Sequence, residues 1–209
     1  MKTPTAFRVL LPMLALLAVP AAAASSAPER FMETLSQYCG AAYGGRVLSE
    51  GSAQGFTGRT LIVHLAECHA DEIRMPFQVS DYRSHALIVT RTENGLRLAH
   101  AHEAADGAPQ TLSNYGGDST NGTATRQEFR VDAHSIAKLE AEGIAHAAGN
   151  VWALEVVGGS VLRYELVRAE GPALVIEFDL ANPVDLAEPV IAYQARMDGG
   201  ERFVASILD

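Results

Sequence analysis

From about residue 59 to residue 180 the chain alternates apolar and polar positions with a period of two. That is the mark of strands with one buried face. In the segment 59–67, Leu61, Val63 and Leu65 share a face, and in 72–80 Ile73, Met75, Phe77 and Val79 do. Pro76 interrupts the second ladder, which places it at an edge or a bulge. Asn94-Gly95 separates two further alternating runs and predicts a tight hairpin. Candidate strands follow at 110–115 and 125–131. Three more, at 151–157, 161–168 and 173–180, carry Trp152, Tyr164 and Phe178 on one face and Glu155, Arg163, Glu165 and Glu177 on the other. Only two short helices fit the remaining pattern. One spans 28–38, with Pro28 in its first turn, and the other starts at an Asp132 cap and stops at Gly143.

About eight or nine strands joined by short turns describe an all-β fold. The prediction is a single antiparallel, mostly up-and-down β-barrel with two short helices, the alternative being a β-sandwich. A last hairpin is expected through 191–196 and 202–208.

The first 24 residues do not belong to that pattern. Lys2 and Arg8 precede an apolar run of about 11 residues, Val9 to Val19, and the small residues Ala21 to Ala24 follow. This order is that of a secretory signal peptide, and the run is short of the ~20 residues of a membrane-spanning helix. The domain assignment is therefore 1–24 signal peptide and 25–209 one β-barrel domain. The product is expected to be periplasmic or secreted, with no membrane insertion after cleavage. Two cysteines, Cys39 and Cys68, remain in the mature part. In an oxidising compartment they form one disulfide, the alternative being metal ligation beside His69.

Composition narrows the partners. The 209 residues carry a net charge of −9, and only Lys2 and Lys138 among the 16 basic residues are lysines. Cleavage removes Lys2 and Arg8 and no carboxylate, so the net charge of the mature chain falls to −11. An acidic chain without a basic stripe is a poor match to a phosphate backbone, and no nucleic-acid partner is expected.

Candidate chemistry comes from the Asn94-Gly95 hairpin. With those two residues at the corner, Arg91 faces Leu98, Val89 faces His100 and Leu87 faces His102, all on one side of the sheet. The large apolar groups mark that side as the interior. His100 and His102 would point inward about 7 Å apart, with Arg91 nearer a barrel mouth. Two imidazoles on one strand face can serve as polar contacts for a ligand. They can also hold a divalent metal, with His64 as a third ligand and Glu103 or Asp106 offering oxygen. The run Asn114 to Thr123 has the composition of a long turn. As a loop over the cavity it would offer Tyr115 and Asp118 to a ligand. No nucleophile motif and no phosphate-binding glycine motif occurs.

Arg74-Met-Pro-Phe-Gln-Val79, the hairpin with His100-x-His102, and Tyr115-Gly-Gly-Asp118 with Gln127-Glu-Phe129 resemble a family of exported bacterial proteins with no assigned activity. The strand count and alternation are similar to lipocalin-like (calycin) barrels, although the Gly-x-Trp near the first strand of lipocalins is absent. A barrel of about eight strands can enclose one small, largely apolar ligand, for which His100, His102, Arg91 and Tyr115 are the candidate contacts. A metal-dependent enzyme using His100 and His102, and a structural or inhibitory envelope protein without a ligand, are the alternatives.

Overall fold

The computed structural model describes residues 25–51, 55–80, 82–103, 108–168 and 174–186. The signal segment 1–24, Asp106 and the expected last hairpin lie outside them. Helix α1 (Ala27–Ser36) is followed by β1 (Ala42–Ser49), β2 (Leu61–His64), the short β3 (Glu67–Cys68), β4 (Glu72–Val79), β5 (Tyr82–Thr92) and β6 (Gly95–His102). Next come β7 (Tyr115–Gly122), β8 (Arg126–Val131), α2 (Ala133–Ala141), β9 (Val151–Val157), β10 (Val161–Val167) and β11 (Leu174–Val184).

Every strand pairs antiparallel with its neighbours, β11 returns to β1, and β2 pairs with both β1 and β4. The result is a closed up-and-down barrel of ten strands, one or two more than the alternation predicts. β3 lies outside the ring, on β4. Pro76 sits where β4 lacks a partner on that side, between its pairing to β3 at Arg74 and to β2 at Phe77. A missing N–H costs no ladder bond there. The inward face is the apolar face of the alternation: Ile73, Met75, Val89, Leu98, Leu154 and Ile176 are all fully buried.

The two barrel ends differ. At one, the three tight turns β5–β6, β7–β8 and β9–β10 lie under α1. Phe31, Met32 and Leu35 of α1 are buried in the core. Glu29 pairs with Arg91 at 3.3 Å, Thr34 donates to the Ala124 carbonyl at 3.1 Å, and the Tyr38 hydroxyl donates to the Gly159 carbonyl at 2.7 Å. The helix starts where Ser26 and Glu29 form a capping box. Cys39 and Cys68 stand as a disulfide pair that ties the end of α1 to β3. The long connections β1–β2, β6–β7, β8–β9 and β10–β11 gather at the opposite end. There α2 starts at the Asp132 cap, and the Ser135 hydroxyl accepts the Gly116 N–H at 2.8 Å.

Two expectations change. The run from Tyr115 to Gly122 is strand β7, not a turn or a loop over a cavity, and 110–115 is not a strand. Its turn-like glycines serve close approach. A Cβ on Gly116 would collide with the Leu98 carbonyl, and one on Gly117 with the Arg130 carbonyl. The hairpin corner falls on Glu93-Asn94 rather than on Asn94-Gly95. Thr92 pairs with Gly95, Arg91 with Leu96, Leu87 with His100 and His85 with His102. Gly95 opens β6 at φ +150, where a Cβ would lie 2.5 Å from the Ser119 hydroxyl. The register moves by two residues, so the same side chains still face inward.

Replacing both cysteines (Cys39→Ser with Cys68→Ser) is expected to lower stability by about 3–4 kcal/mol, the chain-entropy value for a loop of this length. The reading is a drop in the urea midpoint. An unchanged midpoint would show that the staple contributes nothing to holding α1 on the barrel.

Candidate functional site: imidazole and phenol rings inside the barrel

The first residues of β5, the last of β6 and the first of β7 meet inside the barrel, towards the end that carries the long connections. His85 comes from β5, His100 and His102 from β6, and Tyr115 from β7. Their four rings close a circuit. Centroid distances are 4.5 Å for His85–His102, 5.7 Å for His102–Tyr115, 4.9 Å for Tyr115–His100 and 5.6 Å for His100–His85, and no two planes in contact differ by more than 20°. Trp152, the only tryptophan, packs against His100 at 4.7 Å and Tyr115 at 5.9 Å.

Hydrogen bonds fix most of the ring nitrogens. His100 Nδ1 is 3.4 Å from the Tyr115 carbonyl oxygen, which can only accept, so Nδ1 carries the proton. Nε2 then accepts from the Tyr164 hydroxyl at 3.1 Å, and Tyr164 is itself hydrogen-bonded by the Trp152 indole. His102 lies between two phenols, with Nδ1 3.2 Å from Tyr82 and Nε2 3.3 Å from Tyr115. Tyr82 reaches inward because a register irregularity follows the Phe77–His85 pair, so that Val79 meets Tyr82.

His85 differs from both. It is buried, yet neither of its ring nitrogens has a hydrogen-bond partner among the described residues. Burial holds His100 and His102 neutral, with pKa values lowered to about 3, and the His100 ring adds to the effect on His102. Burial, and then the two neighbouring imidazoles, push His85 well below the usual value. Burial likewise raises the Tyr115 and Tyr164 phenols. The whole cluster is therefore uncharged at neutral pH.

His100 and His102 come together as the hairpin geometry implies, and Tyr115 joins them from a strand rather than from a loop. Arg91 does not join them. It stands six residues along β5 from His85, about 20 Å away, and pairs with Glu29 under α1. His64 points to the outside of the barrel, since Leu61 and Val63 take the inward positions of β2. Glu103 pairs with Arg74 at 2.8 Å. Among the described residues no three His, Cys, Asp or Glu side chains group so as to hold a metal ion.

His85 and Tyr164 escape the sequence reading. Extending the period two of β5 by one step, from Leu87 back to His85, would have found the first. Tyr164 carried only a core signal.

The cluster is tightly packed: His100 is 1% exposed and His102 0%. Phe77, Leu87, Tyr164 and Phe178 line an adjoining apolar cavity of about 10 Å³, the room of a single water molecule. No family model, curated protein or solved structure matches the chain.

Tyr164→Phe would leave the Trp152 N–H and His100 Nε2 both buried without partners, and is expected to cost about 2–4 kcal/mol. Tyr115→Phe, which strands only His102 Nε2, should cost about 1–3 kcal/mol. Urea unfolding measures both. If neither variant loses stability, the phenols do not hold the imidazoles.

Proposed function

We propose that this chain is an exported binding barrel. Its end with the long connections admits a small, largely apolar guest bearing one hydroxyl, held against His85 with His100 and His102 beside it. The observation that carries this reading is the pair of His85 nitrogens without a partner among the described residues. An unsatisfied buried polar atom costs about 1–3 kcal/mol, so an imidazole kept at such a position implies a partner that comes and goes. A neutral imidazole offers one donor and one acceptor. A hydroxyl can answer either nitrogen, whereas a carboxylate can only accept. The apolar lining beside the ring, Phe77, Leu87 and Phe178, suits a hydrocarbon body.

Export rests on the signal-like first 24 residues and on the disulfide pair, which an oxidising compartment preserves. No helix among the described residues is long and apolar enough to cross a membrane. A metal-dependent enzyme on His100, His102 and His64 draws no support from the geometry, because phenols and a carbonyl occupy the nitrogens of the pair and His64 faces away. The second reading, a structural protein with no guest, is favoured by the close packing around His100 and His102. Entry of a guest would require the barrel end to loosen.

Trp152 makes the test direct. Titrating 1-decanol, with decanoate as comparison, should shift Trp152 emission for the alcohol, and His85→Phe should weaken that response about tenfold, the loss of one buried hydrogen bond. If neither compound moves the emission, and His85→Phe raises the melting temperature, His85 is an uncompensated core residue and the guest-free reading stands.

A further inference from the structure

We propose that the circuit of His85, His100, His102 and Tyr115 is an acid-sensitive latch. It is closed at neutral pH, and mild acid opens the barrel end with the long connections while the end under α1 stays folded. The latch needs no bound guest.

The geometry concentrates three imidazoles where a proton has nowhere to be accommodated. His85 lies 4.5 Å from His102 and 5.6 Å from His100, centroid to centroid, so a second protonated ring would face a like charge across a van der Waals contact. From β5 the cluster is faced by Tyr82, from β7 by Tyr115 and from β10 by Tyr164, all neutral phenols. Phe77 of β4, Trp152 of β9 and Phe178 of β11 contribute only aromatic surface. Among the described residues no carboxylate acts on any of the three rings, and the Arg168 cation acts on Tyr164. Lys138 of α2 lies one step outside, donating to the Ser113 carbonyl. Both of these cations oppose protonation in the closed state.

Acid must then act by opening the site. An imidazole free in solution titrates near 6.5, whereas His100 and His102 remain neutral down to about 3 when enclosed. Their folded pKa values are depressed, so the stability they confer is complete above about pH 6.5 and is lost progressively as pH falls towards 3. At pH 5 each ring released to water favours the open form about 30-fold, and the two together on the order of a thousandfold. His85 acts in the same direction.

The position of the cluster makes the effect local. The four rings, their phenol partners and Trp152 join β5, β6, β7, β9 and β10 at one end only. The other end is held by contacts that involve no histidine: the α1 core residues, the Glu29–Arg91 pair and the disulfide. The exposed His69 and the outward-facing His64 have no part in the latch.

Hydrogen exchange of the disulfide-intact protein at pH 7.5 and pH 5.0, corrected for intrinsic rates, tests this. Amides at the start of β5, the end of β6 and the start of β7 should exchange at least 100-fold faster at pH 5.0, while those of α1 and the β5–β6 turn keep their protection. His85→Phe should reduce the opening at pH 5.0 about tenfold or more, and His64→Gln should leave it unchanged. Equal acceleration at both ends would overturn the latch in favour of global acid unfolding. So would identical behaviour of His85→Phe and the parent. If His85→Phe does not fold, the ring signals of the parent decide by NMR. Imidazoles of His85, His100 and His102 that titrate near 6.5 with the barrel end still protected would refute the proposal.

Discussion

Closure of the sheet, through β1 on β11 and β2 on β4, is the constraint on which everything else depends. It gives every strand of the ring a neighbour on both sides, so that one apolar face per strand suffices for a core. The seam is tight at one point. A Cβ on Gly45 would lie 2.6 Å from the Phe178 ring, so this position of β1 must be bare for the aromatic ring of β11 to fill the interior behind it. Closure also seals the interior from water, which obliges polar groups placed inside to find partners among themselves. The Trp152–Tyr164–His100–Tyr115 chain is the outcome of that obligation.

The outer wall shows the same economy in charge. Arg126 reaches Glu128, Glu155 and Glu165, Arg163 reaches Glu155 and Glu177, and Arg46 reaches Glu177, so one network crosses β8, β9, β10, β11 and β1. Single surface pairs contribute little, but a guanidinium can bridge several carboxylates at once as an ammonium cannot. Arg126 and Arg163 use that capacity, in a chain whose 16 basic residues include only Lys2 and Lys138 as lysines.

Much of this was legible from period and caps. The inward faces of β4, β6, β9, β10 and β11, the Asp132 cap and the pairing of Cys39 with Cys68 all follow from side-chain spacing or cysteine count. What escaped has a common cause. Glycine and small polar residues in β7 have turn composition, yet they lie in a strand because neighbouring backbones press against Gly116 and Gly117. The two-residue shift at the Glu93-Asn94 corner kept every face correct and changed every partner, which moved His85 into the place opposite His102. Ring closure depends on pairings distant in sequence, so the alternation gives strands without fixing their number at ten.

The contrast between the ends bears on why the interior is polar at all. Under α1 the barrel is filled with Phe31, Leu35 and Leu96, and the one stranded nitrogen at that end among the described residues, His64 Nδ1, belongs to an outward-facing ring. At the far end, three imidazoles and three phenols occupy inward positions that leucine or phenylalanine would fill without any hydrogen-bonding requirement. Selection for stability alone would replace His85 first, because it gives back no hydrogen bond for the desolvation of its ring. A fold that keeps its polar interior at the end carrying the long connections, and its apolar interior under a stapled helix, separates a part that can yield from a part that holds. The binding and latch readings both draw on that division, and both require the yielding part to be the one that contains His85.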